Sequence, residues 1–230
     1  MCLLMSLLVV ASAGLRAAPK VEDSIAQRVQ ACTGCHGREG RAASDGYYPR
    51  IAGKPAGYLY HQLLNFREGR RHYVPMVRLI APLSPAYLQE MAAHFAALDV
   101  PYPAPQPSTA SAETLRHGEA LALRGDSARR IPACVQCHGP ALTGLAPAIP
   151  GLLGLPRDYL NAQLGAWKAG NRRAHAPDCM AQIAQALTPA DVGALSQWLA
   201  SQALPAQTKA VDALAAPLPM PCGSVTPTPP

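Results

Sequence analysis

Apolar positions along this chain recur mainly at helical spacing. Val21, Ile25, Val29 and Cys32 lie on one helical face. Tyr58, Leu59, Gln62, Leu63 and Phe66 form an amphipathic segment closed by Gly69, and the segment from Tyr159 to Lys168, closed by Gly170, has the same build. Ala120, Leu121 and Leu123 belong to a helix that stops near Gly125. Two more helices carry Tyr87, Met91, Phe95 and Leu98, and Val192, Leu195, Trp198 and Leu199. Each follows a good N-cap, Ser84 or Thr188, with Pro85 or Pro189 at the first helical position. No stretch alternates as a strand. The pattern predicts an all-α protein.

The pattern also repeats. At an offset of 101 residues, Pro49 meets Pro150, Gly53 meets Gly154, Pro55 meets Pro156, and Tyr58-Leu59 meets Tyr159-Leu160. Gln62-Leu63 meets Gln163-Leu164, and Phe66 meets Trp167. Met76 precedes Leu83-Ser84 as Met180 precedes Leu187-Thr188. Two copies of one module of roughly 90 residues explain this. The predicted organisation is a signal peptide at 1–18, a first domain at 19–98, a linker at 99–111, a second domain at 112–203 and a Pro-rich tail at 204–230. The linker, with Pro101, Pro103, Pro105 and Pro107, reads as extended.

Leu3 to Val10 is apolar apart from Ser6, and small residues follow, with Ala11-Ser12-Ala13 or the Ala17-Ala18 region as cleavage points. Nothing basic precedes Leu3, so the true start is expected upstream; the competing reading is an apolar N-terminal helix of a cytosolic protein. An exported chain sets an oxidising prior for the cysteines. Four of the seven fall into two identical frames, Cys32-Thr33-Gly34-Cys35-His36-Gly37 and Cys134-Val135-Gln136-Cys137-His138-Gly139. This is the spacing of covalent c-type haem attachment. Two thiols three apart add to the haem vinyl groups, and the adjacent histidine becomes the proximal iron ligand. A redox Cys-x-x-Cys needs no histidine after it. A four-thiolate zinc site needs its two pairs much closer in sequence.

Composition fits two buried cofactors. Aromatic residues are only 5% of the chain, with two Phe and two Trp, while proline reaches 24. Two haems supply the large apolar bodies that two ordinary cores would draw from Phe and Trp. The formal net charge of +6 has no block of like charges behind it, so nucleic acid is not a predicted partner. No apolar run reaches the length of a membrane span, so membrane association is at most peripheral.

A haem with only a proximal histidine is open to small ligands; a carrier closes the other side, commonly with methionine. Met76 and Met180 sit at matched places before the last helix of each copy and are the candidate distal ligands. His72 and His175, four and five residues earlier, are the alternatives. Met91 reads as packing, and His61, His94 and His117, which lack repeat partners, read as surface or boundary residues. Pro49 and Pro150 follow their histidines by 13 and 12 residues, and a carbonyl there suits the far N–H of a ligating imidazole; a simple turn proline is the alternative. Cys179 and Cys222 remain. A disulfide between them is expected in an exported chain, against a Cys179 thiolate ligand or two free thiols.

On the two frames, the Tyr-Leu-x-x-Gln-Leu segments at 58 and 159, and Met76 and Met180, the stretch from Pro19 to Ala203 resembles a di-haem class I cytochrome c of the cytochrome c4 type. The resemblance implies two all-α cytochrome domains related by a pseudo-twofold, each with His/Met haem iron. It supports Pro49 and Pro150 as the carbonyls behind His36 and His138. It implies a periplasmic carrier that takes electrons from a quinol-oxidising complex or a dehydrogenase and passes them to a terminal oxidase or other acceptor. Two alternatives stand beside this: a dedicated cytochrome subunit of a periplasmic dehydrogenase, and a di-haem peroxidase-like enzyme. Cys179 beside Met180 and the Cys222 tail depart from the general pattern. So does a second methionine segment three residues longer than the first.

Overall fold

A computed structural model describes residues 23–42 and 46–225; the signal segment at 1–18 and Val21 lie outside the described residues. The first copy contains α1 (Ile25–Arg28), α2 (Gln30–His36), α3 (Ala56–Arg67), α4 (Val74–Ile80) and α5 (Pro85–Ala97). The second contains α6 (Ala112–Arg124), α7 (Val135–His138), α8 (Arg157–Lys168), α9 (Cys179–Ala186) and α10 (Pro189–Ser201). The all-α prediction holds, with one addition. Gly144–Leu145 (β1) and Ile149–Pro150 (β2) form a short antiparallel pair in the second copy, and Val211 of the tail bridges to Leu145 alongside it.

Local chemistry explains the boundaries. Ser84 Oγ accepts from the Tyr87 amide at the start of α5, with Pro85 at the first position. Thr188 does the same for Asp191 in α10, and Asp191 answers by accepting from the Thr188 amide, which completes a capping box. Gly125 ends α6 at φ 70°. The amphipathic face at 25–32 is broken at Val29 into α1 and α2. The methionine segments each carry a short helix, α4 and α9, that the apolar pattern does not mark.

In the first domain α3 packs on α5 around Val29, Leu59, Leu64, Phe66, Ile80, Leu88, Met91 and Phe95. In the second, α10 packs on α6 and α8, with Leu121, Ile131, Leu187, Val192, Leu195 and Leu199 inside. The α6–α10 approach is very close at Gly118: a Cβ there would lie 2.2 Å from the Ala194 carbonyl oxygen.

The linker is extended but not free. The Arg50 guanidinium, stacked on Tyr102 at 3.8 Å, donates to the Val100 and Pro101 carbonyls. The Gln106 amide reaches Ala200 O at 2.8 Å. The tail is likewise seated: Val211 exchanges backbone hydrogen bonds with Gly144 and Ala146, Lys209 Nζ donates to Leu98 O, and the Gly223 amide donates to Pro177 O. This corrects the expectation for His61. It is 7% exposed, its ring 5.7 Å from that of His175, with the tail backbone at Ser224 against it. Burial there comes from contacts distant in sequence, which a single helix pattern does not reveal. His117 is exposed as expected, yet its Nε2 lies 2.6 Å from Asp191 Oδ1.

Candidate haem centre

Helix α2 carries Cys32, Cys35 and His36 on its last turns, and α7 carries Cys137 and His138, with Cys134 at its N-cap. Residues three apart on a helix share a face, so both thiols of a frame point the same way as the histidine that follows. The glycine after each histidine is left-handed (Gly37 φ 75°, Gly139 φ 82°), so the chain turns away directly behind the imidazole.

None of the four frame cysteines is tied into a disulfide, so all four are left for haem attachment. Burial pushes the Cys32 and Cys137 thiols up, and Cys134 up to about 11, so they are held protonated. His36 Nδ1 lies 2.8 Å from Pro49 O, and His138 Nδ1 lies 2.7 Å from Pro150 O. A carbonyl only accepts, so Nδ1 carries the proton in both and Nε2 keeps its lone pair. Burial lowers the pKa of both rings, which favours this neutral form.

The two frames open into one continuous cavity of about 650 Å³. Cys32, His36 and Met76 line it from the first domain, and Cys134, His138 and Met180 from the second. Most of its remaining lining is apolar, including Leu59, Phe66, Ile80, Leu160 and Leu199. His72 and His175 also border it; His72 is exposed, and His175 Nε2 sits 2.9 Å from the Arg70 guanidinium. Cys179 and Cys222 form a disulfide with Cα atoms 5.0 Å apart, which removes Cys179 as a thiolate ligand and anchors the tail beside Met180.

Cations that sequence reading did not single out hold the seam between the domains. Arg71 donates to Gln62 Oε1 at 3.0 Å in its own domain and to Gln163 Oε1 at 2.8 Å in the other. Arg172 mirrors it, with Gln163 Oε1 at 2.6 Å and Gln62 Oε1 at 3.0 Å. Arg71 also reaches Tyr159, and Arg172 reaches Tyr58, each at 3.4 Å. Arg71 lies over Phe66 and Arg172 over Trp167. The two arginines are 101 apart, so extending the repeat alignment by a few residues would have found them. Lys54 is a different case: it is buried, its Nζ donates to Gly151 O at 2.9 Å across the seam, and burial, then Arg50, pulls its ammonium down to about 7. No repeat partner marks it.

These residues fit haem. The frame cysteines are outside any disulfide and paired in spacing, the imidazoles are oriented, and the cavity is mostly apolar. Trp167 Nε1 is buried beside it with no hydrogen-bond partner, and the Arg71, Arg172 and Lys54 cations carry no ion pair among the described residues. Haem brings both an apolar disc and carboxylates, which these groups lack. Fold and site together define a di-haem class I c-type cytochrome.

Comparison with known proteins narrows the class. No family model matches the sequence. The chain is 38% identical over 198 residues to a thiosulfate dehydrogenase electron acceptor of Thiomonas intermedia, covering 86% of this chain and 89% of the relative. It is 31% identical over 170 residues to cytochrome c4 of Pseudomonas aeruginosa, covering 73% and 82%. Among solved structures, reduced cytochrome c4 from Pseudomonas stutzeri superposes with a TM-score of 0.67 at 28% identity, covering 77% of this chain and 96% of that one. The thiosulfate dehydrogenase TsdBA of Marichromatium purpuratum also gives 0.67, at 34% identity, over 75% of this chain and 36% of that much longer one. The chain belongs to the cytochrome c4 family of di-haem electron-transfer cytochromes, and it carries two covalently attached c-type haems.

Proposed function

We propose that this cytochrome is the dedicated electron acceptor of an exported dehydrogenase, one that oxidises thiosulfate, and that it catalyses no substrate chemistry of its own. The observation that carries the reading is that both haem frames line one shared cavity, which would hold the two haems side by side. That arrangement suits a relay that accepts at one end and releases at the other. The choice of donor rests on similarity: relatives at 38% and 39% identity are thiosulfate dehydrogenase electron acceptors, and those named cytochrome c4 stand at 28–32%.

In this reading the thiols of Cys32 and Cys35, and of Cys134 and Cys137, become thioethers. Haem then supplies reversible one-electron chemistry at its iron. His36 and His138 hold Nε2 toward the metal while Pro49 O and Pro150 O fix the rings and raise their basicity. Met76 and Met180, which line the cavity, would supply the second axial ligands and favour reduced iron. The engagement of His175 by Arg70 and the exposure of His72 favour the methionines over these histidines. A closed sixth site leaves no vacancy for a peroxide or other substrate, which separates a carrier from a peroxidase-like enzyme. Export to the periplasm is supported by the apolar N-terminal sequence and by the Cys179–Cys222 bond, which suits an oxidising compartment. Among the described residues no helix is long and apolar enough to cross a membrane.

The test is reduction of the oxidised holoprotein, followed by its visible absorption. Thiosulfate alone should leave it oxidised, and thiosulfate plus a thiosulfate dehydrogenase should reduce both haems. Failure with the dehydrogenase, together with rapid reduction by a quinol-oxidising complex, would replace the donor. Ready binding of carbon monoxide to either reduced haem would overturn the closed distal site.

A further inference from the structure

The seam is close to twofold, and its break is informative. Arg71 answers Arg172, Gln62 answers Gln163, Tyr58 answers Tyr159 and Phe66 answers Trp167. Lys54, however, is answered by Leu155, and Arg50 by Gly151. The first domain therefore sends a cation into the seam that the second does not return.

Lys54 is 4% exposed and lines the shared cavity. An ammonium has three N–H donors, and among the described residues one of them finds an acceptor, Gly151 O at 2.9 Å. No carboxylate is among the groups that act on it. A buried cation is costly unless paired, and its remaining donors suit the carboxylates that haem carries. Its place is specific. Gly151 directly follows Pro150, whose carbonyl holds His138 Nδ1. Gly151 has no room for a side chain, because a Cβ would meet Thr143 O at 2.5 Å. So the spot behind His138 is served from the other domain.

We propose that Lys54 is a positioning residue for the second haem, lent by the first domain: it pins the Pro150–Gly151 turn behind His138, and pairing with the haem's carboxylates keeps it charged there, which raises the second haem's potential above that with a neutral residue at 54. Adding an electron lowers the charge at the iron by one, and a nearby cation stabilises the result. Salt screens a buried cation weakly, so the effect persists at working ionic strength. The inference holds whichever protein is the electron donor.

The test is a redox titration of the full-length protein with both haems attached, each step assigned to its haem by haem-methyl proton NMR. Lys54→Gln keeps a donor for Gly151 O and removes the charge. It should lower the second haem's potential by roughly threefold to tenfold in oxidised-to-reduced ratio, tenfold being about 59 mV for one electron, and move the first haem far less. Lys54→Arg should leave both potentials near the parent. A purely structural pin predicts no shift in Lys54→Gln, and that result would overturn the proposal. So would a shift of the first haem equal to or larger than that of the second. Lys54→Met should shift the second haem further; where that variant loses haem, the Gln and Arg pair decides alone.

Discussion

The two domains are built from one module, yet they are braced differently. In the second, α10 begins with a capping box whose Asp191 is buried and bonded to Arg129 and His117. Burial alone would raise the Asp191 carboxyl, but the Arg129, Thr188 and His117 bonds outweigh it and hold the group far below the usual range. The loop behind His138 is a small sheet extended by the tail, and a disulfide ties that tail to α9. In the first, α5 has a plain serine cap and the loop behind His36 has no strand among its described residues. Three of the four exposed large apolar residues among those described, Tyr47, Val74 and Leu79, belong to it. Both copies keep the same imidazole-to-carbonyl geometry to within a tenth of an ångström. Attachment chemistry is thus the fixed part of the module, and bracing is what one copy gained and the other did without.

The sharpest challenge to the comparison is removal of one proposed distal methionine at a time. Met76→Ala and Met180→Ala should each lower the potential of one haem only, by on the order of a hundredfold in oxidised-to-reduced ratio, read by spectroelectrochemical titration. Equal shifts in both haems would contradict separate sites. Next in size is the tail lock. Replacing Cys179 and Cys222 together by serine should cost the second domain about 2–4 kcal/mol, seen as earlier thermal loss of that haem's signal while the first stays put. Gly118→Ala forces α6 off α10 and should cost roughly 1–3 kcal/mol, again confined to the second domain in urea unfolding. The smallest effect separates the domains by pH. Asp191 has a depressed folded-state pKa, so its contribution is full above the unfolded value of about 4 and fades as pH falls below it. Asp191→Asn should remove about 1 kcal/mol at neutral pH and flatten that acid limb. An unchanged limb would mean another group governs it.

Much of this was readable along the chain because the chemistry is local. Cys-x-x-Cys-His keeps its three functional atoms within one helical turn, and Ser84-Pro85 and Thr188-Pro189 state their caps outright. Pro49 and Pro150 were legible because the repeat shows them twice. The disulfide followed from which thiols the haem frames left over. What escaped is what forms between distant segments. Arg71 and Arg172 look like ordinary surface arginines until the loops after α3 and α8 meet in a short antiparallel bridge. Lys54 sits in a Gly-Pro turn with no repeat partner, and its burial is created by the other domain. His61 reads as polar on a helix and is buried by the tail. Each of these depends on how the two copies meet, which no single copy encodes.

The reciprocal arginine seam has an evolutionary consequence. Gln62 accepts from arginines of both domains, as does Gln163, and each arginine divides its donors between the halves. A single half released from the pair would keep its haem frame and its own arginine–glutamine bond, and would lose the bonds that its arginine, glutamine and tyrosine make across the seam. Duplication supplied two interchangeable parts; the seam then made each the other's missing surface. The fusion therefore gives each half a polar face that the other half completes, so a change to either arginine or either glutamine is felt in both halves at once.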